Sequence, residues 1–154
     1  MGSSATALTN CIAAVVTKLE DNLAEIGDIT SITIKQERPA IITEELKDLP
    51  VGFVVLDNKA GVTSKVSMSG GDVSHHSFNI KIFLYYRLVY DANDETAVNN
   101  IMTYRMNCED LFKGSGSKIA TGHVYAMSGK QSVRAQGEII MHTVEETLKV
   151  KMYD

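Results

Sequence analysis

The chain of 154 residues carries only two cysteines, Cys11 and Cys108, each at an apolar position of a predicted helix. That placement suits buried free thiols, so no disulfide framework is expected to staple the fold. No run approaches the ~18 consecutive apolar residues of a membrane-spanning helix, and none is predicted. The opening residues MGSSATALTN lack a cationic region followed by an apolar stretch, so no secretory signal is read and assembly in the cytosol is expected. Gly2 and Thr6 match the short N-myristoylation pattern, which arises often by chance. Basic charge is also short. Fifteen Lys and Arg against 19 Asp and Glu leave a net charge of −4, with no basic patch interleaved with aromatics. A direct grip on a nucleic-acid backbone is not expected of such a chain.

Catalytic and cofactor motifs are equally sparse. Neither H-E-x-x-H nor C-x-x-C occurs. His75 and His76 adjoin in a Gly/Ser-rich stretch, where neighbouring residues of an extended chain point to opposite sides and are poorly placed for one metal ion. His123 and His142 fall in predicted strands with no Cys, Asp or His two or four residues away, and read as surface or strand-edge residues. Gly129-Lys130-Gln131 resembles the end of a phosphate-binding loop, but Gln replaces Ser or Thr and Val124 stands where the first glycine belongs. Gly114-Ser115-Gly116 lacks the third glycine and follows a helix instead of a strand. The acid pairs Glu44-Glu45 and Glu145-Glu146 read as solvated groups beside turns, whereas acid–base chemistry needs carboxylates in a desolvated cleft. Ser128 and Ser132 have no His and Asp partners at a recognisable spacing. No catalytic, cofactor or metal residue is therefore assigned, and the chain is not read as an enzyme; the alternative is a small ligand-binding or enzymatic α+β domain with His75, His76 or His123 in a pocket.

What is present is a soluble, single-domain composition: 44% hydrophobic and 22% charged residues over residues 1–154. A chain of this length buries roughly 68–70% of its unfolded surface without help from staples. The clearest periodic segment is FNIKIFLYYRLVY, residues 78–90. Phe78, Ile80, Ile82, Leu84, Tyr86, Leu88 and Tyr90 share one face of an extended strand, the expected core face. The other face is polar at its ends but carries Phe83 and Tyr85 in the middle, which predicts a cover over that face too. Before it, residues 6–26 show the helical spacing Leu8, Cys11, Ile12, Val15, Val16, Leu19, Leu23, Ile26, with Gly27 as a stop signal. Residues 29–37 and 51–56 read as strands, and residues 42–48 as at most a helical turn between Pro39 and Pro50. The polar excursion over residues 57–77 reads as one arm of a hairpin followed by a flexible approach to the long strand, and is the candidate contact arm.

After the long strand, Asp91, Asn93 and Asp94 offer N-caps to a second amphipathic helix with a stripe at Ala97, Ile101, Tyr104, Cys108 and Leu111, ending near Lys113-Gly114. It is expected to pack back on the sheet. The remainder predicts strands over residues 119–127, 132–144 and 148–153, with a turn at 128–130 and a bulge at Gly137. The class is α+β, mainly antiparallel, with an N-terminal helix, a second helix and a long β-hairpin arm. Charge follows the elements. Residues 18–48 hold eight acids against four bases, and 91–112 hold five against one; 49–90 and 113–154 each carry two more bases than acids. Solvated helix faces account for such a pattern, and so do two complementary sides of a subunit that packs head to tail.

In order and length these elements resemble the tail terminator proteins of long-tailed bacteriophages, the small head–tail completion proteins of the phage neck. The resemblance covers most of the chain. It rests on the N-terminal helix, a strand ending at Arg38-Pro39, Leu49-Pro50 followed by VGFVVLD, the polar hairpin, FNIKIFLYYRLVY leading into a helix, and the closing TLKVKMYD. It implies a structural protein of the virion without a cofactor: a homohexameric ring that caps the tail tube, ends its polymerisation and meets the head-side connector, the alternative being another oligomeric phage protein such as a stopper or tail-tube relative. Its partners would then be further copies of itself, the tail-tube protein and the connector or stopper protein, with DNA only in passage through the lumen and no membrane. On this resemblance Phe83, Tyr85 and Arg87 are expected to meet a neighbouring subunit, and Lys65, Met68, His75 and His76 to lie on the arm that reaches an adjacent copy or ring.

Overall fold

The computed structural model describes residues 3–35, 50–56, 62–66, 73–88, 95–136 and 139–153. Helix α1 (Ser3–Glu20) buries Cys11, Val15 and Leu19, four residues apart along one stripe. The expected helix to residue 26 ends earlier as a regular α-helix, because the Asn22 side chain donates to the Lys18 carbonyl (2.8 Å) and the chain continues in turns to Gly27. Gly27 sits at φ +97°, and a Cβ there would run into the rings of Tyr86 and Tyr104. Only glycine meets both conditions.

Seven strands form one mixed, mostly antiparallel sheet: β1 (Ile32–Lys35), β2 (Val51–Leu56), β3 (Val62–Val66), β4 (Val73–Leu88), β5 (Lys118–Ile119), β6 (Gly122–Gln136) and β7 (Ile139–Tyr153). The spatial order is β1-β2-β4-β7-β6-β5, with β3 pairing on β4; β1 and β2 are parallel and the other pairs antiparallel. Strand β4 is central, pairing with β2, β3 and β7. Its sixteen residues span roughly 50 Å at about 3.3 Å per residue.

Helix α2 (Glu95–Asp110) and α1 lie on the same face of the sheet. Phe78, Ile80, Ile82, Leu84 and Tyr86 of β4 meet Val144, Leu148, Val150 and Met152 of β7 there, under Val15 and Leu19 of α1 and Ile101 and Cys108 of α2. Each such side chain contributes about 1.5–3 kcal/mol by leaving water. The Tyr86 hydroxyl donates to the Ile26 carbonyl at 2.6 Å, tying the end of the first helical segment to the sheet. A single-turn 3₁₀ segment, Gly114–Ser117, links α2 to β5.

The α+β class and the packing of both helices on the sheet stand as expected. Three local expectations change. Residues 74–77, read as a flexible approach, are strand residues, and His75, His76 and Ser77 pair with both β3 and β7. The expected turn at residues 128–130 lies mid-strand, because β6 runs unbroken through it against β7. Gln136 pairs with Ile139, so this region holds two long antiparallel strands, β6 and β7, instead of three shorter ones. Residues 36–49, 57–61, 67–72 and 89–94, which include Glu44, Glu45, Met68 and the Asp91, Asn93 and Asp94 caps, lie outside the described residues, as does Gly137.

Candidate functional site

The second face of the sheet divides into two halves. One half is closed: Val51, Phe53 and Val55 of β2, Phe83 and Tyr85 of β4, and Met141 of β7 form a second apolar cluster. Phe53 packs edge-on against Tyr85 at 5.7 Å between centroids, and Phe83 stacks on Tyr85 at 6.4 Å. Phe83 and Tyr85 are only 1% and 2% exposed in a single chain. Their expected cover by a neighbouring subunit is thereby corrected: the register that brings β2 beside β4 places Phe53 opposite Phe83 and supplies much of the cluster within the chain. Arg87, two residues beyond Tyr85 on the same side of β4, is exposed.

The other half of that face is less enclosed and basic. Along β7, Glu145 gives way to Thr147, Lys149 and Lys151, the lysines alternating with buried Leu148 and Val150. Lys130 of β6 and Lys81 of β4 flank Glu145, at 2.9 and 3.6 Å from its carboxylate. Lys151 lies over the ring of Tyr125 at 4.8 Å, and that tyrosine is 48% exposed at a β-bulge. Lys65 pairs in backbone register with His75, and His75 with Tyr153, at the end of this half. The structure thus brings Lys65 and His75 to one end of the sheet. Phe83, Tyr85 and Arg87 lie at the other end of β4, and His76 on the alternate side of the strand.

Beneath α2, on the helix-covered face, lies a group that sequence reading missed. Glu146 is fully buried between Val144 and Leu148, and neither carboxylate oxygen has a hydrogen-bond partner among the described residues. Its reading as a solvated acid beside a turn is wrong because β7 continues through it. Burial first, then the neighbouring Glu109 carboxylate, push the Glu146 pKa up to about 8, against weaker opposing pulls from Arg105 and Lys113. The acid is therefore protonated at neutral pH. Gly129, its register partner on β6, leaves room for the carboxyl, since a Cβ there would meet Glu146 directly. Glu109 itself accepts from Arg105 (3.2 Å), which also donates to Gln131 (3.0 Å). The alternation Val144, Glu146, Leu148, Val150, Met152 was the signal that could have placed Glu146 inside.

His142 is buried, not at a surface or strand edge as expected, and burial lowers its pKa so that it stays neutral. Cys11 and Cys108 are free and buried, and burial raises both thiol pKa values, leaving the thiols protonated and inert. Among the described residues no group of three or more His, Cys, Asp or Glu side chains is placed to hold a metal ion. No helix among them is long and apolar enough to cross a membrane.

Comparison with solved structures finds the same fold in a chain described as "Virion of native gene transfer agent (GTA) particle". The match has 13% identity and a TM-score of 0.56, and covers 96% of this chain and 98% of that one. Neither a protein-family model nor a curated protein matches the sequence. At this identity the likeness is one of fold, and it runs end to end.

Proposed function

We propose that this chain is a non-enzymatic structural subunit of a phage-type virion, acting as a head–tail joining ring of the tail-terminator kind. The observation that carries the reading is the end-to-end fold likeness to a chain of a gene transfer agent virion particle. The buried and inert state of both thiols, the neutral buried His142 and the enclosed Glu146 support an architectural role. In this reading copies of the chain close into a hexameric ring at the neck, which ends tail-tube growth. One side of the ring meets the tail-tube protein and the other the head-side connector or stopper protein, with genomic DNA passing through the lumen. The exposed Arg87 and the β3–β4 arm with Lys65, His75 and His76 supply surfaces between copies and rings. Light scattering combined with negative-stain imaging of the purified chain tests this. Ring-shaped particles with six-fold symmetry are expected, and a compact monomer at all concentrations would overturn the reading.

A further inference from the structure

The two faces of the subunit carry opposite charge. On the helix side, the turns that follow α1 meet the C-terminal part of α2: the Asn107 side chain donates to the Glu25 carbonyl (2.7 Å), and Tyr104 lies against Gly27. Around this junction Glu20, Asp21, Glu25 and Asp28 are exposed, as is Asp110 at the end of α2. The C-terminus of α2 adds its partial negative charge there, with no basic residue in its last turn. The nearby cations are already engaged: Lys18 donates to the Gly116 carbonyl (2.6 Å), Arg105 pairs with Glu109, and Lys113 pairs with Asp110. On the opposite side of the same sheet, Lys149 and Lys151 stand on the less enclosed half of the second face, next to Tyr125.

We infer that the lysine-bearing, less enclosed half of the sheet in one copy docks on the acidic junction of α2 with the turns after α1 in the next copy. This rests on the ring reading above and names the surfaces that build the ring. The occupant follows from charge and geometry together. Lys149 and Lys151 are two residues apart on one strand, so their Cα atoms are separated by roughly 6.6 Å. They would meet the exposed acids Glu20, Asp21, Glu25 and Asp28. Complementary surfaces on opposite faces of one sheet cannot satisfy each other in a two-fold dimer with a single self-complementary patch. They join head to tail, and the assembly closes into a ring or grows as a stack. Tyr125 supplies apolar area beside the charges, where partial exclusion of water strengthens them.

Charge reversal tests the pairing in the full chain. One variant carries Lys149→Glu and Lys151→Glu, and a second carries Asp21→Lys and Glu25→Lys. All four side chains lie outside the apolar core, and circular dichroism with thermal unfolding checks that each variant folds. Each variant alone is expected to sediment as a monomer where the wild type assembles. An equimolar mixture regains the assembly, because each reversed surface then meets its opposite on the other variant, and a ring with an even number of subunits closes by alternation. Wild-type association should weaken by about tenfold or more between low and high salt. Wild-type rings with both variants assembling unchanged would overturn the docking while leaving the ring reading intact. A wild type that stays monomeric at low salt removes both. If Lys149→Glu/Lys151→Glu abolishes binding of a short duplex DNA while assembly is unchanged, the face serves nucleic acid and the docking is again overturned. Neutral versions, Lys149→Ser with Lys151→Ser, repeat the test should the reversed chain fail to fold.

Discussion

At the scale of single residues, Glu146 has the clearest measurable consequence. Its pKa stands at about 8 in the folded chain against the ordinary 4.5 of an exposed glutamate. Between those values the folded chain holds a proton that the unfolded chain has released. The stability it contributes is complete below pH 4.5, declines as pH rises, and is gone above about 8. The full width of the shift corresponds to a loss on the order of 3–5 kcal/mol. Glu146→Gln, which keeps the shape and removes the titration, is expected to flatten urea-denaturation stability across that window and to leave the variant more stable than wild type at pH 9. An unchanged slope would show that the charge is relieved elsewhere, the nearest groups being Glu109, Arg105 and Lys113. Gly129→Ala should destabilise the chain by about 1–3 kcal/mol through overpacking against that carboxyl. A double-mutant cycle with Glu146→Ala should return part of the loss. Thiol titration at pH 8 should label neither Cys11 nor Cys108 before unfolding, since both are fully buried. Glu146 shows why residue-level reading of the sequence fails: adjacent acids look alike until a strand sends one to each face. Glu145 then stands between two lysines, and Glu146 under a helix.

At the scale of elements, β4 carries two different jobs on its two faces. Ile80, Ile82 and Leu84 hold the helices, while Phe83 and Tyr85 close the second cluster with β2 and β7. Phe83→Ala is expected to cost about 3–5 kcal/mol in chemical denaturation, as loss of a buried ring does. An exposed interface ring would cost the isolated chain almost nothing, so the measurement separates the two roles. Tyr86→Phe, which leaves the Ile26 carbonyl without its donor, should cost about 1–3 kcal/mol. Most of β4 was legible in FNIKIFLYYRLVY because alternation over thirteen residues admits one period. The extension back to Val73 was not, since Ser74, His75, His76 and Ser77 have no apolar alternation and the segment is held extended by the pairing of His75, His76 and Ser77 with β3 and β7. The same holds for Ser128-Gly129-Lys130, whose turn-forming composition gives way to a long ladder with β7.

At the scale of the whole molecule, a native oligomer makes stability depend on concentration. If rings are the native state, the apparent Tm should rise with protein concentration in calorimetry. The Lys149→Glu/Lys151→Glu chain should show no such rise, because linkage to association is lost with the interface. By itself the sequence determined the elements with strong periods: both helices, the central strand, the free thiols and the uneven distribution of charge. These follow from local spacing, which needs no knowledge of what lies across the sheet. Tertiary structure alone decided which face each residue reached. It buried Phe83 and Tyr85 within the chain, set Glu146 under α2 in the room left by Gly129, and put the acidic helix junction and the lysine-bearing strand on opposite sides of one sheet. Those outcomes depend on register between strands far apart in sequence, and a shift of one residue would invert every one of them.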